Sequence, residues 1–253
     1  MKLGIFTVAS RKDTAGDIYN EALASYKDLA DEVFVNDKAW PKEFSWEHIG
    51  QTFQESYTRI NSDWVIRADL DYIFHERDYR AIRMACENNP DAPALSFWKF
   101  QFVLPDRYNL KSRLVIAVNK RKFGDRIRFD SGGDLCQPSI DGEYINPADV
   151  PEAGIPFYNY EKLCKTPNQI ADDQGRMERA YFRHFGHTQM GSDGTDQDAY
   201  RVWIEAQKGK FNKPQKFIKL TDHPKVIQET IKNLTPDQFG YNGHAMLEEN
   251  KYV

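Results

Sequence analysis

At 253 residues, with 40% hydrophobic and 13% aromatic content, the chain can bury a full core as one large globular unit or as one domain with a C-terminal subdomain. No stretch approaches the roughly 20 consecutive apolar residues of a membrane span, and Met1 to Ile5 runs into a strand-like segment without signal-peptide anatomy. Cys86, Cys136 and Cys164 are odd in number and form no CxxC pair, which excludes a disulfide framework or zinc knuckle and makes a reducing, cytoplasmic setting the expectation. The net charge is −4 but uneven: between Pro105 and Arg128, eight Lys and Arg stand against Asp106 and Asp125, so that stretch is +6 and the remainder −10. This suggests an anionic partner met at one place, the other reading being a solvated hairpin.

The first seventy residues read as a β-α-β-α-β unit. Leu3 to Val8 is a short apolar strand, Asp17 to Ala30 carries Ile18, Ala22, Tyr26 and Leu29 at helical spacing, and Val33 to Val35 is a second strand. Trp46, Ile49, Phe53, Tyr57 and Ile60 mark one face of a second helix before a third strand, Trp64 to Ala68. Such a unit builds a parallel sheet by right-handed crossovers and binds ligands beyond the C-terminal strand ends. A third helix is expected over Asp78 to Asn89, with strands at Ala94 to Leu104, Leu114 to Asn119 and Ile127 to Phe129. Ser131-Gly132-Gly133-Asp134 reads as a flexible turn, and residues 137–156, rich in Pro and Gly, as a long loop. The C-terminal third reads as helical, one helix starting at Pro224 with Asp222 or Thr221 as its cap. The expected organisation is a catalytic α/β domain over 1–160 with a helical extension, 161–253, packed on it.

Asp69-Leu70-Asp71 closes the third strand. Side chains two apart on an extended strand share a face, so both carboxylates can meet one hard divalent cation while Leu70 turns to the core. Alone the pattern is common and often marks only a solvated strand end; here Arg67 lies on the same strand face, and the polar groups of the Thr7 to Arg11 turn and Asp37 fall at the ends of the first two strands.

Gly4 to Arg11, Ser25 to Asp37 and Ser62 to Asp71 together resemble the glycosyltransferases of the GT-A fold, particularly family-2-like enzymes. Phe157 to Lys162 and Asp222-His223-Pro224 are similar to C-terminal motifs in some of them, although Asn159 stands where related enzymes often have histidine. The resemblance implies a single Rossmann-type nucleotide-binding sheet, mostly parallel, and metal-dependent transfer of a sugar from a nucleotide-diphosphate donor, a UDP-sugar first, to an acceptor hydroxyl. Mn2+ or Mg2+ would lie on Asp69 and Asp71, with His223 as third ligand; the donor would lie near Thr7, Ala9 and Asp37, with Arg11, Arg67 and Asp69 toward the phosphates. An inverting course needs a base, assigned to Asp134 after its two glycines, with Glu76 and His75 in reserve; a retaining course is the alternative.

The acceptor stays open. Lys99, Gln101, Arg107, Lys111 and Arg113 interleave with aromatics from Phe97 to Tyr108, a pattern suited to DNA carrying hydroxymethylated bases as well as to a glycan, and equally to aromatics packed in a core. A competing reading is a non-enzymatic nucleic-acid-binding or virion-associated module using residues 105–128. A haloacid-dehalogenase-type phosphatase fits less well, because Tyr72 and Ile73 follow the pair. Oligomeric state is not legible in the sequence.

Overall fold

The structure, a computed structural model, describes residues 1–10, 18–129, 136–211 and 215–243. Strand β1 (Leu3–Val8) has a parallel neighbour on each side, and its apolar run is buried because helices cover both faces. It pairs in parallel with β2 (Glu32–Asn36) and β3 (Trp64–Arg67), Ile5 lying opposite Val33 and Ile66. The crossovers are α1 (Tyr19–Leu29), which buries Ala22, Ser25, Tyr26 and Leu29 at the i, i+3, i+4, i+7 spacing, and α2 (Trp46–Arg59), capped by Ser45 accepting from the His48 N–H at 3.1 Å. Gly4 lets β1 approach the end of α2, since a Cβ there would stand 2.4 Å from the Ile60 side chain. The far end of α2 is closed by Lys120, whose ammonium donates to the carbonyls of Tyr57 (2.8 Å), Thr58 (3.3 Å) and Ile60 (2.5 Å).

After β3 come the short β4 (Tyr72–Ile73), α3 (Tyr79–Glu87) and a long hairpin of β5 (Ala94–Leu104) and β6 (Arg107–Asn119). Beyond it lie α4 (Lys120–Phe123) and a small sheet of β7 (Ile127–Arg128), β8 (Ser139–Ile140) and β9 (Glu143–Tyr144). The chain then returns through β10 (Glu152–Asn159), α5 (Pro167–Phe185), α6 (Asp196–Phe211), β11 (Lys216–Phe217) and α7 (Lys225–Lys232). The main sheet has the order β2-β1-β3-β6-β5-β10-β4, with β11 added on β6. Its pairings make six strands run one way, with only β6 and β4 opposed. This is the α/β architecture, with a Rossmann-type first half and a mainly parallel sheet, that the sequence led us to expect.

Three local expectations are corrected. Strand β6 begins at Arg107, not Leu114: residues 107–113 alternate only briefly, at Tyr108 and Leu110, and become a strand by pairing with β5 and β11. The 137–156 loop contains β8, β9 and the start of β10. Helix α7 has Pro224 at its N-cap and no side-chain cap, Thr221 and Asp222 lying in a preceding 3-10 turn. The remainder from Glu161 to α7 packs on the hairpin: Ile170, Trp203, Ile204 and Phe239 enclose Val103, while Ile227 joins Phe102 and Tyr160. Among the described residues, no helix is long and apolar enough to cross a membrane.

Candidate active site

A cleft of about 710 Å³ opens beyond β3, and both Asp69 and Asp71 line it. Their geometry is a turn, not an extended strand: β3 ends at Arg67, and the Tyr72 N–H donates to the Asp69 carbonyl at 2.9 Å. The two carboxylates therefore share the cleft because the turn presents them, while Leu70 is buried. The turn is anchored from below. The Tyr26 hydroxyl donates to the carbonyls of Asp69 and Tyr72, and the Asp71 carbonyl accepts from the Tyr160 N–H at 2.8 Å. Burial raises the Tyr72 phenol well above the usual tyrosine value, and the Asp69 carboxylate beside it adds to the effect.

The other expected donor residues fall around this turn unevenly. Val8 and Ser10 line the cleft, one residue out of phase with Thr7 and Ala9, which are buried. Asp37 is exposed at the end of β2 and is not among the lining residues. Arg67 is buried beneath the cleft floor, 3.7 Å from an Asp69 oxygen and over the Phe53 ring, where it orients the carboxylate. Arg11 and Asp134 lie outside the described residues.

His223 is not brought to the pair. Its Nε2 stands 2.8 Å from the Pro105 carbonyl, which can only accept, so Nε2 carries the proton and Nδ1 accepts from the Tyr160 hydroxyl at 2.8 Å. Both nitrogens are thus used, and burial pushes the imidazole pKa down, consistent with a neutral ring packed on Phe102. The reserve bases also sit elsewhere: Glu76 accepts from the Lys225 N–H at the start of α7, and buried His75 accepts from the Arg77 N–H. Among the described residues, no group of three or more His, Cys, Asp or Glu side chains could hold a metal ion.

The basic 105–128 stretch does not gather on one face. Arg107 pairs with Asp106 and covers Phe217, Arg113 reaches Glu152 and Trp98, Lys122 binds Asp91, and Arg126 binds Asp141. Of the interleaved aromatics, Phe97 and Phe102 are fully buried, and Phe100 stacks on Tyr108 at 4.3 Å. Of the cations in that stretch, Lys111 alone lines the cleft, joined there by Lys99, Lys162, Lys165, Arg176 and Lys210.

The wall beside the turn was not recognised from sequence. Thr166 and Gln169 form a capping box that starts α5, placing Asp173 about two turns inside, where Lys165 (2.5 Å) and Lys162 (3.7 Å) reach it. Glu161 accepts from Gln101 Nε2 at 2.7 Å and stands 3.5 Å from Lys162. Burial raises its pKa, but Lys162, Lys99, the Gln101 hydrogen bond and Lys210 outweigh that and hold it at about 2. Two amide oxygens in this wall, Gln101 Oε1 and Asn159 Oδ1, are buried without a hydrogen-bond partner among the described residues. Phe157 to Lys162 had drawn attention as a motif; the convergence of Lys99, Lys111 and Lys210 on it has no local signal.

No protein-family model matches the chain, and no curated protein does. Twenty-one chains of solved structures match. One is residues 1–349 of S. aureus TarS, 11% identical, covering 99% of this chain and 91% of that one at a TM-score of 0.41.

Proposed function

We propose that the protein is a metal-dependent glycosyltransferase, moving a sugar from a nucleoside-diphosphate donor, a UDP-sugar first, to an acceptor hydroxyl. The observation that carries this reading is the β3–β4 turn, which turns Asp69 and Asp71 together into a cleft otherwise rich in cations. Two carboxylates, the remaining positions being filled by phosphate oxygens and water, are a donor set in which Mg2+ or Mn2+ is commonly held beside a nucleotide. The residues present fit that ion, and a third protein ligand is not required. Once bound, it would supply Lewis-acid stabilisation of the charge that grows on the leaving diphosphate.

The chain's own groups supply the rest. Tyr26 fixes the turn's backbone and Arg67 the Asp69 carboxylate. Gln101 Oε1 and Asn159 Oδ1 accept hydrogen bonds from sugar hydroxyls, which gives the two buried acceptors their partners. Glu161, held near a pKa of 2, and Asp173, paired with two lysines, are poorly suited to take a proton from the acceptor. The base therefore stays assigned to Asp134 on sequence grounds, and with it the inverting course.

A thermal-shift screen of nucleotide sugars with and without Mn2+ tests this. A donor at a hundred times its Kd stabilises the native state by about 2.7 kcal/mol, or roughly 5–10 °C for a chain of this size. The expected result is a shift that needs both Mn2+ and the nucleotide and is lost in Asp71→Ala. A Mn2+-dependent shift that survives both Asp69→Ala and Asp71→Ala contradicts the reading.

A further inference from the structure

We infer that Lys99, Lys111 and Lys210 form a subsite for a phosphate ester carried by the acceptor. The term acceptor rests on the transferase reading; the anion subsite itself does not. Lys99 and Lys111 lie directly opposite each other on the antiparallel β5–β6 ladder, both lining the cleft. Like charges in that relation destabilise a sheet. Helix α6 then adds a third ammonium, Lys210, to the same cleft. Glu161, whose charge pulls against the shift of Lys210, is shared with Gln101 and Lys162, and Lys210 also donates to Gln207 Oε1 at 3.1 Å. The repulsion shows in Lys210, whose pKa falls to about 8 through burial and the proximity of Lys111 and Lys99, against the opposing pull of Glu161. A multiply charged tetrahedral oxyanion matches three converging ammonium groups and relieves their repulsion.

The subsite is distinct from the diphosphate position. Tyr72 is in register with Asn159, and Asn159 with Gln101, which follows Lys99 by two residues along β5. Two strand spacings and two residue rises place the Tyr72 and Lys99 backbones roughly 12 Å apart. Between them lie the unsatisfied oxygens of Gln101 and Asn159, assigned above to sugar hydroxyls. A phosphate on the lysines is thus separated from the donor diphosphate by the space of a sugar.

The test titrates inorganic phosphate into the full chain without Mn2+, and separately a panel of nucleoside diphosphates with Mn2+. Each is repeated in Lys99→Gln/Lys111→Gln and in Asp69→Asn/Asp71→Asn, with melting curves confirming that both variants fold. The lysine double variant is expected to weaken phosphate at least tenfold and to leave the tightest Mn2+–nucleotide within twofold; phosphate should also still bind to the nucleotide-saturated wild type. Unchanged phosphate affinity in the lysine variant overturns the subsite. Equal losses of phosphate and nucleotide there, or displacement of phosphate by Mn2+–nucleotide, assign the lysines to the donor and overturn the acceptor assignment. Nucleotide binding that is unaffected in the aspartate variant overturns the transferase reading and leaves the anion subsite standing.

Discussion

Gln101 and Asn159 each bury an amide oxygen that has no hydrogen-bond partner among the described residues, although a buried, unsatisfied acceptor costs about 1–3 kcal/mol. If those oxygens serve a sugar's hydroxyls, their removal separates stability from activity. Asn159→Leu should leave the melting temperature unchanged or raise it while lowering kcat/KM by about tenfold, roughly one lost hydrogen bond; a matched loss of both would mark Asn159 as purely structural. His223 makes the opposite case, a buried group satisfied at both nitrogens. Its folded pKa lies below the ordinary 6.5, so the unfolded chain binds the proton more readily. The stability it supports should be full above pH 6.5 and decline as the pH falls through the folded value. Histidine 223 replaced by an apolar residue should flatten that part of a melting-temperature profile. Lys210, with a pKa of about 8 and facing Lys99, Lys111 and Glu161, gives a second dependence. Phosphate affinity should fall as the pH rises through 8, read by calorimetry, and the fall should be absent in Lys210→Met.

At the level of elements, the β-α-β-α-β half was legible because continuous apolar strands and strongly amphipathic helices need no knowledge of their neighbours. The position of Asp69 and Asp71 at the end of the third strand was legible for the same reason. Their conformation was not, since a turn closed by Tyr72 and anchored by the Tyr26 hydroxyl depends on a helix some forty residues earlier in the chain. The basic stretch misled through a related cause: charge is visible in sequence, but the ion-pair partners Glu152, Asp91 and Asp141 are not. Lys120 illustrates the consequence. It reads as part of an anion-binding run, yet it closes the C-terminus of α2, where its charge meets three carbonyls. Lys120→Met should cost about 1–2 kcal/mol in denaturant unfolding without changing phosphate binding. Gly4→Ala, pressing a methyl group into Ile60, should cost about 1–3 kcal/mol, a typical overpacking penalty.

At the level of the whole molecule, the cleft is assembled from the β3–β4 turn, the β5–β6 hairpin, the segment after β10, and α5 and α6. Those pieces span most of the chain, so the site's charge could not be read from any single stretch. They place Asp69 and Asp71 on the turn and six cations around the rest, with Glu161 and Asp173 set among the lysines. On the proposed reading, metal and nucleotide would depend on each other: two carboxylates alone hold a divalent ion weakly, and a diphosphate would complete the ion's coordination. Calorimetric titration of Mn2+ into the protein, with and without the nucleoside diphosphate picked out by the thermal screen, tests the central claim most directly. The account predicts that the nucleotide tightens Mn2+ binding at least tenfold, that Mn2+ tightens the nucleotide by the same factor, and that Asp69→Asn/Asp71→Asn abolishes the coupling. Equal Mn2+ affinity with and without nucleotide, or coupling that persists in the double variant, would contradict it.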